Sequence, residues 1–154
     1  MLTLEEQQAI NTELSHYENR QGGCIDALKV LQRRRGWISD EAVRDLADFL
    51  EMSATEVDSI ATFYNLLFRK PVGRHIILVC NSVTCWVKNY EGLVSRLSEA
   101  LGIGFGQTTP DGRFTLLPIA CLGACDHAPA LMVDGDLYLD VTADDITSLT
   151  ARYS

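Results

Sequence analysis

Residues 121 to 129 read CLGACDHAP, two cysteines four positions apart with only leucine, glycine and alanine between them. A second pair, Cys80 and Cys85, closes the run HIILVCNSVTC, and a fifth cysteine, Cys24, stands alone near the amino end. Clustered thiols in a reducing compartment are metal ligands or redox groups more often than structural disulfides, and the count here is odd. Four thiolates together hold zinc or an iron–sulfur cluster. Zinc knuckles usually leave two residues between cysteines, whereas the gaps here are four and three. A four-residue gap suits a ligand pair reaching round a bulkier two-iron rhomb, and the spacing favours [2Fe-2S] over zinc. A pair of thiol-redox sites is the third reading, weakened because the chain has no CxxC motif.

The elements around the cysteines are expected to bring them together. HIILVC is rich in β-branched residues and reads as a strand over 75–80, with further strands at 113–120, 130–133 and 136–139. A helix over about 88–101 carries Leu93, Val94, Leu97 and Leu101, and a last one covers about 143–152. Turns are expected at Pro110-Asp111-Gly112 and Asp134-Gly135. Two parallel strands of one strand–helix–strand unit end on the same side of a sheet, so Cys80, Cys85, Cys121 and Cys125 would converge although 35 residues separate the pairs. Cys85 is expected just before the helix near Lys88, whose amino end favours negative charge, and Gly123 and Ala124 are expected to let N–H groups approach the sulfurs.

Upstream, the periodicity predicts four helices. The first has a Thr3/Glu6 capping box and places Ile10, Leu14 and Tyr17 on one face; the second carries Ile25, Leu28 and Leu31 or Gln32 and stops at Gly36. A third is capped by Ser39 or Asp40 and buries Val43, Leu46, Ala47 and Leu50, and a fourth opens with Ser53 and Glu56 and runs through ATFYNLLF. Pro71 and Gly73 break the pattern. The fold class is therefore α+β: an N-terminal helical bundle over 1–70, then an α/β domain of thioredoxin-like type over 71–154.

The net charge of −8, from 21 acidic and 13 basic residues, disfavours nucleic acid, and no apolar run nears the roughly 20 residues of a membrane span. MLTLEEQQAI resembles neither a secretory signal nor a mitochondrial leader, so a cytosolic location is expected.

ATFYNLLFRKPVGRHIILVCNSVTCW, GRFTLLPIACLGACDHAPALMV and RRRGWIS closely resemble the E subunits of bacterial NADH-quinone oxidoreductase (respiratory complex I), a family of thioredoxin-like [2Fe-2S] proteins, and the likeness runs from about residue 25 to 152. It implies one [2Fe-2S] cluster ligated by Cys80, Cys85, Cys121 and Cys125, close to the FMN of a neighbouring subunit that binds and oxidises NADH. It also implies an adjacent large iron–sulfur subunit and a place on the cytoplasmic side of the inner membrane in a peripheral arm. The chain would be an electron carrier without a catalytic site of its own, inside an enzyme complex. Many relatives have a proline in the first cysteine loop where this chain has Asn81-Ser82-Val83-Thr84. Likeness to the thioredoxin fold also implies a cis peptide at Pro129. The same module in an NAD-linked hydrogenase or formate dehydrogenase, a zinc-stapled interaction module and a thiol–disulfide enzyme are the rival readings.

Some residues invite more than they support. Cys24 shares a helical face with Ala27 and Leu31 and reads as a core thiol. His127 after Cys125-Asp126 imitates half a Rieske motif without its partner pair and reads as a loop residue. His16 and His75 are expected in solvated or locally bonded roles. GIGFGQ lacks the third glycine of a dinucleotide fingerprint and follows a helix. Trp86 and Tyr90 are expected to pack in a core.

Overall fold

Thr3, Ser39 and Ser53 each accept a hydrogen bond from a backbone N–H in the first turn that follows, and three helices begin there. A computed structural model of the chain describes residues 1–153. It divides into two compact units, Met1–Pro71 and Val72–Ser154.

The first unit holds α1 (Leu4–Leu14), α2 (Cys24–Arg35), α3 (Asp40–Leu50) and α4 (Ala54–Phe63). Capping boxes at Thr3/Glu6 and Ser53/Glu56 are both formed. Ile10, Leu28, Leu31, Ile38, Leu46 and Leu50 are fully buried at its centre. Gly36 ends α2 at φ 82°, a conformation that costs a residue with a Cβ. Two expectations fail here. Tyr17 lies beyond the end of α1 and is exposed. The fourth helix stops at Phe63 rather than continuing through ATFYNLLF, because tertiary bonds capture the segment. Gln32 Oε1 accepts the Phe68 N–H, and the Phe68 carbonyl accepts the Ile38 N–H at 2.8 Å.

The second unit holds β1 (His75–Cys80), α5 (Val83–Val87), α6 (Tyr90–Leu101), β2 (Phe114–Ile119), β3 (Leu131–Val133), β4 (Asp136–Tyr138) and α7 (Asp145–Thr150). The sheet order is β2-β1-β3-β4, with β1 and β2 parallel and the other neighbours antiparallel. The α+β class is as expected. Alternation along β1 sends Ile77 and Val79 into one core with Phe114, Leu116, Leu131 and the inner faces of α6 and α7. Leu78 and Cys80 fall on the other face, with Cys85, Ile119 and Ala130. Among the described residues no helix is long and apolar enough to cross a membrane.

Candidate metal centre

Cys80 ends β1, and its Cα partner across the parallel ladder is Ile119, the last residue of β2. The Asn81 N–H continues that ladder onto the Ile119 carbonyl at 2.9 Å. Cys121 therefore emerges two residues past the rung on which Cys80 sits. The Cys80 thiol is within reach of the Cys85 and Cys121 thiols, and Cys85 in turn feels the charges of Cys80 and Cys125. Among the described residues no three Cys, His, Asp or Glu side chains gather at the spacing of one ion's ligands.

The four differ in surroundings. Cys80 and Cys85 are 3% and 1% exposed, whereas Cys121 and Cys125 face solvent. Burial opposes ionisation of Cys80, but N–H groups of Ser82 and Leu122, with the neighbouring thiols, outweigh it and hold this thiol below its ordinary range. Burial pushes Cys85 up, the nearby charges add to that, and a bond from the Ala130 N–H opposes it. The Gly123 N–H meets Cys121 Sγ at 3.2 Å, from a backbone at φ 76° that favours glycine. Four thiols, three of them with main-chain N–H groups beside them, are a donor set fitted to a thiolate-ligated cluster.

Several details depart from expectation. Cys85 does not precede the helix near Lys88; it lies inside the short α5, and it is the N–H of Ser82, the residue before α5, that reaches Cys80. The longer helix begins only at Tyr90, because Asn89 takes a left-handed conformation at φ 71°. Trp86 is 58% exposed rather than in a core. On so short a helix Cys85 turns inward, and its neighbours Val83, Trp86 and Val87 turn out. Tyr90 does pack against the second core. The Gly123 N–H approaches sulfur as expected, the Ala124 carbonyl accepts from the His127 N–H, and the Leu122 N–H, which lowers the Cys80 thiol, is a contributor that sequence reasoning missed.

The other candidates resolve locally. Cys24 is buried in the first unit, and burial pushes its thiol up to about 11, far from a metal ligand's needs. His127 hydrogen-bonds Asp140, which with Asp126 holds its imidazole above the usual range. His75 Nδ1 meets Asp134 Oδ2 at 2.6 Å, and His16 is exposed. In GIGFGQ, Gly102 ends α6 and Gly106 turns the chain at φ 77°. The Ala128–Pro129 peptide is cis.

The sequence model of the thioredoxin-like [2Fe-2S] ferredoxin family matches residues 10–154. This chain belongs to that family. It is 47% identical over 153 residues to the NADH-quinone oxidoreductase E subunit of Pseudomonas aeruginosa, covering 99% of this chain and 92% of that one. It is 46% identical over 152 residues to the protein of the same name from Escherichia coli, with the same coverage. Among solved structures, an NAD+-reducing [NiFe]-hydrogenase in the air-oxidized state aligns with a TM-score of 0.70 at 27% identity. That alignment covers 82% of this chain and only 22% of the hydrogenase chain. The likeness to a ferredoxin family thus spans both units, including the helical bundle that carries none of the four clustered thiols.

Proposed function

We propose that this chain is the electron-transfer subunit of an NADH-quinone oxidoreductase, with Cys80, Cys85, Cys121 and Cys125 as the thiolate ligands of one [2Fe-2S] cluster. The observation that carries it is the β1–β2 register, which delivers two cysteine pairs to one end of a parallel ladder. The 46–47% identity to NADH-quinone oxidoreductase E subunits along 99% of the chain supplies the complex. A bound [2Fe-2S] cluster takes up and gives back one electron at a time, which lets two-electron hydride chemistry at FMN proceed in single-electron steps.

The chain's own residues set the conditions for that exchange. Buried Cys80 and Cys85 keep water from one side of the centre, and the N–H groups of Ser82, Leu122, Ala130 and Gly123 spread the thiolate charge. Exposed Cys121 and Cys125 leave the other side near the surface, where an electron can pass to a partner. Val83, Trp86 and Val87, which flank Cys85 in the sequence, are exposed apolar side chains that a neighbouring subunit would cover. FMN and NADH are held by a flavin-bearing partner subunit. An adjacent large iron–sulfur subunit completes the surroundings, on the cytoplasmic side of the membrane in a peripheral arm.

The test is to mix the anaerobically purified chain with its flavin-bearing partner and add NADH. The reduced-cluster signal that dithionite produces in the free chain should appear with NADH only when the partner is present. Its failure to appear in the mixture, with a cluster present, contradicts the proposed electron exchange. The hydrogenase likeness favours a second reading, the corresponding subunit of an NAD-linked hydrogenase. The proteins that co-purify with the chain from its own cells separate the two.

A further inference from the structure

Between Cys121 and Pro129 the chain leaves the sheet and carries the two exposed thiols. Within this loop the hydrogen bonds are few: Gly123 N–H to Cys121 Sγ at 3.2 Å and His127 N–H to the Ala124 carbonyl at 3.1 Å. One end is held by Leu122, half-buried against the cluster that contains Cys80, Cys85 and Ile119. The other end is tied by residues 140 and 141. Asp140 N–H donates to the His127 carbonyl at 2.9 Å, and Val141 N–H donates to the Pro129 carbonyl at 3.0 Å. Asp140 Oδ2 also meets His127 Nδ1 at 2.8 Å. A carboxylate only accepts, so Nδ1 carries the proton in this pair.

Asp140 therefore grips His127 twice, once through the backbone and once through the side chain. It does so from φ 50°, a left-handed conformation uncommon outside glycine and better tolerated by Asp and Asn than by other residues. A conformation of this kind persists only where its surroundings hold it. The thiols at stake are the two exposed ones; their loop is held by these tethers together with Leu122, Ala124 and Ala128, half-buried against the cluster of Leu78, Cys80, Cys85, Ile119 and Ala130.

We propose that Asp140 is a positioning residue: by clamping His127 it fixes the Cys125–His127 turn and so sets where Cys121 and Cys125 present their sulfurs to the cluster. The proposal rests on the ligand assignment made above. Asp140 touches no cluster atom and acts through His127.

The experiment uses the full chain, purified anaerobically with its cluster. Asp140→Gly removes the carboxylate and leaves positive φ free of strain, His127→Ala removes the other half of the pair, and Asp140→Asn keeps an acceptor on a residue that tolerates this backbone. Three readouts are taken: iron release to a chelator, the EPR g-values of the reduced state, and the midpoint potential. Asp140→Gly and His127→Ala should each release iron about three- to tenfold faster, the factor expected from losing one hydrogen bond. Both should shift the g-values and the potential in the same direction, and Asp140→Asn should restore most of the wild-type behaviour. The double variant should be no worse than either single, as for two halves of one contact. Wild-type release, g-values and potential in both single variants, or additive effects in the double, overturn the clamp. A wild-type chain that holds no iron and sulfide overturns the cluster reading as well, so the two failures are distinguishable.

Discussion

Cys80 and Ile119 face each other across the last rung of the parallel β1–β2 ladder. This register decides the site. It places the loop after β2 beside the loop after β1, so thiols far apart in sequence need no long side chains to meet. A slip of one residue would turn Cys80 into the core now filled by Ile77 and Val79, and that core specifies the register strongly.

In the helical unit, Glu6 is 4% exposed, accepts from Arg35 Nε at 2.6 Å and from Arg35 Nη2 at 2.7 Å, and closes the Thr3 capping box. The Arg35 bonds outweigh burial and lower its carboxyl to about 2 from 4.5. A lowered folded value means stability that is present above 4.5 and lost as pH falls through about 2. Glu6→Gln should therefore destabilise the protein by about 2–3 kcal/mol at pH 7, and the gap to wild type should close toward pH 2. Urea unfolding across this pH range measures it.

Cys24 should behave as an inert core thiol. With its thiol raised to about 11 by burial, alkylating reagents should leave it unmodified in the native chain and label it only on unfolding, a difference that mass spectrometry counts. Cys24→Ser should cost about 1–3 kcal/mol by burying a hydroxyl, with iron and sulfide content unchanged.

Gly123→Ala tests the ligand loop directly. A Cβ meets nothing within 4 Å there, so the penalty comes from φ 76° alone. It should amount to about 1 kcal/mol, and relaxation of the backbone should weaken the Gly123 N–H bond to Cys121. Lower iron retention during gel filtration, with nearly unchanged circular dichroism, is the expected result.

The parts legible in the sequence are those written in local chemistry. Thr3/Glu6 and Ser53/Glu56 announce helix starts, Gly36 announces a stop, and the β-branched HIILVC announces a strand. A helix between two strands is enough to anticipate their parallel pairing. Three features are not legible. Val83–Val87 is too short to show a period, so neither the inward Cys85 nor the outward Trp86 can be read from it. The early end of α4 depends on Gln32 and Ile38, contacts made only in the folded unit. The Asp140–His127 tie spans 13 residues and depends on a left-handed residue without glycine to mark it.

The four-thiol cluster is tested most directly by the visible and low-temperature EPR spectrum of the anaerobically purified chain before and after dithionite, with iron and sulfide counted on the same sample. The predicted result is a brown protein with about two irons and two acid-labile sulfides per chain, EPR-silent as oxidised and showing a half-spin signal once reduced. A colourless chain that holds zinc through the same thiols and contains no acid-labile sulfide contradicts it.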